Sequence, residues 1–236
     1  MATTLVIEEQ IEIPMNLHSL VDFRRWATSD AFPERGRIDY LGGRIEVDMS
    51  PEDLFCHSSL KGEIYSSLHP LVKSRDLGYL FIDRARVSSV EADLSAEPDI
   101  VLVSHDALAT GRVRLIAKAG GEADRYIELE GAPDLIVEVV SDSSVGKDTK
   151  RLPKKYFEAG VTEYWLADAR REPLVFRIHE RGPSGYQAVE PDAEGFQAST
   201  LFGCRFRLES RRDAHGHQVF DLGNRPKTES TSDDDR

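Results

Sequence analysis

Cysteine is scarce in this chain of 236 residues: Cys56 and Cys204 stand far apart and form no CxxC spacing. That argues against a disulfide scaffold and for a reducing compartment. Long apolar runs are missing as well, and nothing approaches the ~20 residues of a transmembrane helix. The opening residues, Met1 to Gln10, lack the positive start and apolar stretch of a secretion signal. Together these absences predict a cytoplasmic protein. Basic residues are outnumbered, 30 Lys and Arg against 42 Asp and Glu, giving a net charge of −12. The balance disfavours strong non-specific nucleic-acid binding by the surface as a whole. It leaves open a local basic face, or a site where carboxylates hold a divalent cation against a phosphate.

What is present suffices for a sizeable core: 40% of residues are hydrophobic, and no staple is needed at this length. There is no internal repeat. One domain over residues 1–222 is expected, followed by a disordered acidic tail over 223–236. Residues 1–13 alternate weakly and read as an extended arm. Leu17, Leu20, Val21, Phe23 and Trp26 predict an amphipathic helix over 16–27. Residues 37–50 read as a hairpin turning at Gly42-Gly43. A helix follows with Leu60, Ile64, Leu68 and Leu71, in which Pro70 marks a kink or the last turn. Strands are expected over 79–83, 85–90 and 100–103. Residues 105–131, with four glycines and mixed charge, read as a loop with one irregular element. Pro153 is tolerated only in a first helical turn, so the next helix is expected to start near Thr149 to Arg151 and to close at Gly160. Strands over 162–168, 174–179, 186–189 and 199–208 complete the pattern.

One stretch stands out. Pro133-Asp-Leu-Ile-Val-Glu-Val-Val-Ser141 places Glu138 among β-branched residues, in a run that reads as a buried strand. A lone ionised group there is costly unless a metal ion or a cationic partner compensates it. Asp99 opens the strand at Ile100. Two carboxylates at adjacent strand ends chelate Mg²⁺ or Mn²⁺, which take oxygen ligands, and the Val139 carbonyl offers a third. A lysine just beyond would orient or deprotonate an attacking water and neutralise phosphate charge. This order suits metal-dependent phosphodiester hydrolysis. Asp134 is the nearer acid, but four residues along a strand separate it from Glu138 by about 13 Å, so it serves the strand start instead.

Each reading has a structural rival. Glu138 could pair with Arg84 or Arg86, and Asp99 could merely cap a strand. His57 sits at the edge of the site or bonds to backbone. Asp39 and Glu46 default to the solvent face of a hairpin. The basic run from Lys147 to Lys155 contacts phosphates or is a solvated helix face. His215-Gly-His217 reads as a solvated loop, and Tyr164 and Trp165 as core.

Three ordered blocks carry a resemblance: Glu97-Pro-Asp-Ile-Val-Leu-Val, Ala132-Pro-Asp-Leu-Ile-Val-Glu-Val-Val-Ser, and Tyr156-Phe-Glu-Ala-Gly-Val-Thr-Glu-Tyr-Trp-Leu-Ala-Asp168. With the Tyr40–Ile45 hairpin, Met49-Ser-Pro and His57, the chain resembles the Uma-two family of the PD-(D/E)XK nuclease superfamily up to about Phe206. The resemblance implies an α/β fold: a restriction-endonuclease-like mixed sheet flanked by helices, here with an N-terminal helix and hairpin added. It also implies metal-ligand roles for Asp99 and Glu138. The sequence departs from the pattern at the lysine. Val140 stands two residues after the glutamate, and Leu152 stands four residues before Tyr156, where many members carry lysine. Lys147 is the first candidate to replace it, and Lys150 the second. The expected activity is a Mg²⁺- or Mn²⁺-dependent endonuclease acting on DNA, with a homodimer expected because two cuts need two sites. The alternatives are a nuclease-fold binding protein without turnover and hydrolysis of a smaller phosphoester.

Overall fold

Local signals start most elements in the computed structural model, which describes residues 12–226. The Ser19 hydroxyl caps α1 (Leu20–Ala27) by accepting from the Asp22 N–H at 3.2 Å. Leu20, Phe23, Trp26 and Ala27 turn one face of it inward. Gly42 and Gly43, at φ 57° and 82°, close the hairpin of β1 (Arg37–Leu41) and β2 (Arg44–Asp48), a turn in which both central residues need positive φ. Asp53 opens the next helix by accepting from the N–H groups of Phe55 and Cys56. Its first stretch, Leu54–Ser59, is wound wide, with π-type bonding such as Ser58 N–H to Asp53 O at 2.9 Å. It tightens into α2 (Leu60–Ser74), which buries Leu60, Ile64, Leu68 and Val72 and runs on through Pro70.

The chain continues through β3 (Gly78–Ile82), β4 (Arg86–Ser89), β5 (Leu94–Ala96), β6 (Ile100–Ser104), α3 (His105–Ala109), β7 (Val113–Ala117), β8 (Tyr126–Gly131) and β9 (Leu135–Val139). A second wide stretch, Lys147–Arg151, leads into α4 (Leu152–Ala159), closed by Gly160 at φ 98°. Then come β10 (Glu163–Asp168), β11 (Val175–Arg181), β12 (Tyr186–Ala188), β13 (Gln197–Ser199), β14 (Cys204–Arg212) and β15 (Gln218–Pro226).

The central sheet has the order β12-β11-β10-β9-β6-β3, and only β9 and β10 run parallel within it. That parallel step is bridged by α4, as parallel neighbours require. A second sheet, β2-β1-β5-β4-β8-β7, and a small third one, β13-β14-β15, complete the architecture. Alternation divides the core. Ile100, Leu102, Leu135, Val137 and Val139 face α2, Trp165 and Phe206. Val101, Val103 and Ile136 face Leu152, Tyr156 and the second sheet. By the same period of two, Asp99 and Glu138 lie on this latter face.

Several expectations need correction. Residues 105–131 hold α3, β7 and β8 rather than a loop. The exposed residues of β7 hide its alternation, and its pairing with β8 is tertiary. The short β5 and all of β15 were not foreseen. Residues 223–226, expected to begin the tail, end β15 in register with β14. Helical winding also begins at Val145, earlier than the Thr149 to Arg151 start expected from Pro153, and widens over Lys147–Arg151 just ahead of the proline. Of the arm expected over residues 1–13, residues 1–11 lie outside the described residues, as does the tail from 227. Among the described residues, no helix is long and apolar enough to cross a membrane.

Candidate active site

The antiparallel register of β6 and β9 sets Ile100 opposite Val137, and its continuation sets Asp99 opposite Glu138. Side chains directly opposite on one face sit ~5 Å apart at Cβ. Both carboxylates are buried, 0% and 1% exposed. Asp99 is fully bonded. Its Oδ1 accepts from Arg37 Nη2 at 2.8 Å, and its Oδ2 accepts from the Val139 N–H at 2.8 Å. His57 Nε2 lies 3.5 Å from the same Oδ2. Glu138 is half-bonded: Oε1 accepts from the Tyr156 hydroxyl at 2.6 Å, while Oε2 is buried with no partner.

Lys147 completes the group. It is buried, and its Nζ donates to Asp39 Oδ2 at 3.0 Å. Asp39 Oδ1 in turn accepts from the Glu97 N–H at 3.0 Å, two residues before Asp99. The next residue, Asp148, is also buried; Ser144 Oγ donates to its Oδ2, and its Oδ1 has no partner. On the other flank, His57 Nδ1 meets Glu52 Oε1 at 2.6 Å, and Lys61 Nζ donates to Glu52 and to Asp83.

Charge is distributed unevenly. Burial works against ionised Asp99, but the hydrogen bond from His57 and the charge of Arg37 outweigh it and hold the carboxyl well below its usual range. Glu138 goes the other way. Burial, then the charges of Asp148 and Asp99, push its carboxyl well above the usual range, against Arg37 and Lys147. Burial also pushes Asp148 up to about 6. Burial alone would discharge Lys147, yet the Asp39 and Glu138 charges more than compensate and raise it. Lys147 is therefore a cation at neutral pH. His57 is likewise raised, because its Asp99 and Glu52 partners outweigh burial.

Of the residues singled out in the sequence, Asp99, Glu138, Val139 and Lys147 come together, with His57 at the edge. Lys150 is exposed and stands apart from the buried group. Val140 and Leu152, where a motif lysine was expected, are packed in the core. The suggested pairing of Glu138 with Arg84 or Arg86 does not occur. Arg86 Nη2 donates to Glu97, and Arg84 Nη1 to the Glu34 carbonyl. The arginine of the site is Arg37, which the sequence did not single out. Asp39 is buried instead of solvent-facing, because β5 pairs on the other side of β1. Tyr156 stood in the third sequence block without a role. Asp134 accepts from the Ser104 N–H and from Arg112, the structural task expected of it.

Two clefts flank the covered pair. One, of about 370 Å³, is lined by Arg37, Glu52, His57 and Lys61. The other, of about 410 Å³, is lined by Asp39, Lys147 and Arg151. Both share Asp48, Met49, Ser50 and Ser143, and the Ser143 hydroxyl clasps Asp48 Oδ2 at 2.7 Å.

A divalent ion fits the donor set. The buried, unpartnered Oε2 of Glu138 is a hard anionic oxygen, and Asp99 lies across from it. Among the described residues, no cluster of three or more His, Cys, Asp and Glu side chains is arranged to hold a metal. Mg²⁺ commonly takes one or two carboxylates and completes its shell with water and phosphate oxygens.

The family model described as "Uma2: Putative restriction endonuclease" matches residues 20–209. The chain is also similar to a solved structure described as a putative nuclease belonging to DUF820, from Anabaena variabilis ATCC 29413. The TM-score is 0.57 at 20% identity, over 78% of this chain and 90% of that one. At that identity the likeness concerns the fold, and it bears out the mixed nuclease-like α/β architecture. A search of curated proteins finds no match. With the family match running from α1 into β14, across every residue of the buried constellation, the chain belongs to the Uma2 family.

Proposed function

We propose that this protein is a divalent-metal-dependent endonuclease that hydrolyses DNA phosphodiester bonds. The observation that carries the reading is the unpartnered buried Oε2 of Glu138, opposite Asp99 and beside a lysine ammonium. Asp99, Glu138 and the Val139 carbonyl would hold Mg²⁺ or Mn²⁺. When bound, the ion supplies Lewis-acid polarisation of the phosphoryl oxygen and a more acidic water.

The chain's own residues do the rest. Glu138 would hold the ion as a carboxylate, its proton passing to solvent. Lys147 stays charged, so it stabilises negative charge growing on the phosphate instead of acting as a base. Asp39 holds Lys147 in place. For Asp99 to offer Oδ1 to the ion, Arg37 would have to release it. Cutting both strands of a duplex takes two such sites, hence a homodimer. The test is plasmid and oligonucleotide cleavage with Mg²⁺ or Mn²⁺, with Glu138→Ala as the inactive control. Intact DNA of every form under broad conditions would overturn the reading.

A second reading, a nuclease-fold binding protein without turnover, draws on the full burial of both carboxylates and the Arg37 contact with Asp99. Calorimetry separates the two. Mn²⁺ binding that Asp99→Ala abolishes supports the enzyme. Absent binding, or binding that Asp99→Ala leaves unchanged, supports the second reading.

A further inference from the structure

A groove of about 580 Å³ lies between β3 and the β7–β8 hairpin, away from the carboxylates. Its lining is largely apolar and includes four aromatic rings: Tyr65, Tyr79, Phe81 and Tyr126. Tyr79 and Tyr126 are about half exposed, at 51% and 48%. Tyr79 and Phe81 lie with their planes 24° apart, like steps along β3. Exposed aromatic surface of this extent in one trough is costly unless something occupies it.

The groove is joined to the candidate active site. Asp83 and Arg84 line both it and the cleft that holds Arg37, His57 and Lys61. These two residues form the β3–β4 turn, both at left-handed φ, 54° and 52°. Such conformations cost free energy in residues other than glycine and persist where the surroundings fix them. Here the Asp83 N–H donates to the Asp99 carbonyl at 2.9 Å, and Lys61 Nζ donates to the Asp83 carboxylate at 2.6 Å. One end of the groove is thus tied to the backbone of Asp99 itself.

Resting on the nuclease reading, we infer that this groove binds unpaired bases of the substrate strand, so that the favoured substrate is single-stranded DNA or a duplex with a single-stranded flank. The chemistry is selective. Every base offers a π face to a tyrosine, whatever the sequence. The groove has no basic floor along which duplex phosphates could track: Asp83, Asp124 and Glu128 line it, Arg86 is buried and paired with Glu97, and the exposed Arg84 stands at the end near the site. Bases enter the trough, the sugar-phosphate backbone stays outside, and Arg84 meets a phosphate where the strand turns towards Asp99. A chain of net charge −12 gains little from bulk attraction to a duplex, so stacking supplies selectivity that charge does not.

The test is fluorescence anisotropy in EDTA, comparing a labelled oligothymidylate of about twelve nucleotides with a duplex of equal length. Wild type should bind the single strand tighter. Tyr79→Ala and Tyr126→Ala should each weaken it about tenfold and leave duplex binding unchanged, while Tyr79→Phe retains affinity. Photo-crosslinking of wild type to an iodouridine oligonucleotide should mark the β3 or β8 peptide, a readout that needs no variant to fold. Equal binding of the two DNA forms with no crosslink in these strands overturns the inference. So does a concentration-dependent dimer dissolved by Tyr79→Ala with DNA binding intact, which assigns the groove to a second copy of the chain. The nuclease reading fails separately: tyrosine-dependent binding without metal-dependent cleavage refutes turnover and leaves the groove. Cleavage that Glu138→Ala abolishes, with full single-strand affinity in both tyrosine variants, refutes the groove and leaves turnover.

Discussion

The Lys147 ammonium lies 3.0 Å from Asp39 Oδ2, joining residues 108 positions apart in a buried ion pair. The pair holds a cation beside Glu138 in a chain whose motif positions for that cation, Val140 and Leu152, are filled by core residues. Lys147→Met should lower metal-dependent cleavage by about 10²- to 10⁴-fold, while Lys150→Ala should stay within a few-fold of wild type. Single-turnover cleavage rates check both. Equal losses at the two positions would refute the assignment.

Asp39→Asn keeps the shape of its side chain but weakens the hold on Lys147. It should reduce the single-turnover rate and move its pH profile, because Lys147 loses the carboxylate that most favours its charge. A merely structural Asp39 would lower the melting temperature and leave the pH profile where it was.

Tyr156→Phe removes the hydroxyl bonded to Glu138 and, among the described residues, leaves that carboxyl buried with neither oxygen paired. The metal-free protein should lose about 1–3 kcal/mol, read from urea unfolding. Saturating Mn²⁺ should recover part of the loss, and recovery should be absent in a Tyr156→Phe, Glu138→Ala double variant.

The buried acids dictate how stability depends on pH. Unfolded, Asp148 and Glu138 titrate near their ordinary 3.8 and 4.5. Folded, Asp148 titrates at about 6, and burial with the neighbouring Asp148 and Asp99 charges raises Glu138 well above its ordinary range. Across this window the folded state binds more protons, so metal-free stability falls as pH rises. His57, raised above 6.5, adds the same sign at the upper end, since its stabilisation is lost once it deprotonates. Asp99, depressed below 3.8, loses stability only in stronger acid. Asp148→Asn should flatten the slope between 3.8 and about 6 by up to about 3 kcal/mol. Melting temperatures measured in EDTA across the range check it. A slope unchanged in the variant would place its origin elsewhere.

Arg37→Met removes the guanidinium that neutralises Asp99. The metal-free protein should melt lower, and added Mg²⁺ should raise its melting temperature more than it does for wild type. An identical metal-induced shift in both proteins would mean that Arg37 and the cation do not compete for Asp99.

Much of this site was legible in one dimension. A continuous apolar run with β-branched neighbours marked Glu138 as a buried charge, and strand arithmetic removed Asp134 in favour of Asp99. Lys147 entered as the replacement for the lysine that the family pattern places where Val140 and Leu152 stand. Arg37 and Asp39 were hidden because their burial depends on β5 pairing beside β1, a contact between segments more than fifty residues apart. Tyr156 looked like helix core, and its hydroxyl acquires meaning only from the strand beneath it. In the fold, β7 escaped because its exposed residues mix Arg114 with the apolar Leu115 and Ala117 and so break the alternation, and β15 because its exposed Asp221, Asn224 and Pro226 read as loop; cross-strand pairing, not their own pattern, makes them strands.

The two wide helical stretches separate chemistry from packing. One carries His57 and the other Lys147, and each feeds a regular helix whose buried face belongs to the core. A π-type turn holds one residue more than an α-turn. Deleting a single residue within 148–151 would rotate Lys147 by about 100° relative to α4, yet leave Leu152 and Tyr156 in their sockets. The wide turn acts as a phase shifter. It lets the aim of the cation be retuned by one-residue length changes that the hydrophobic core does not feel.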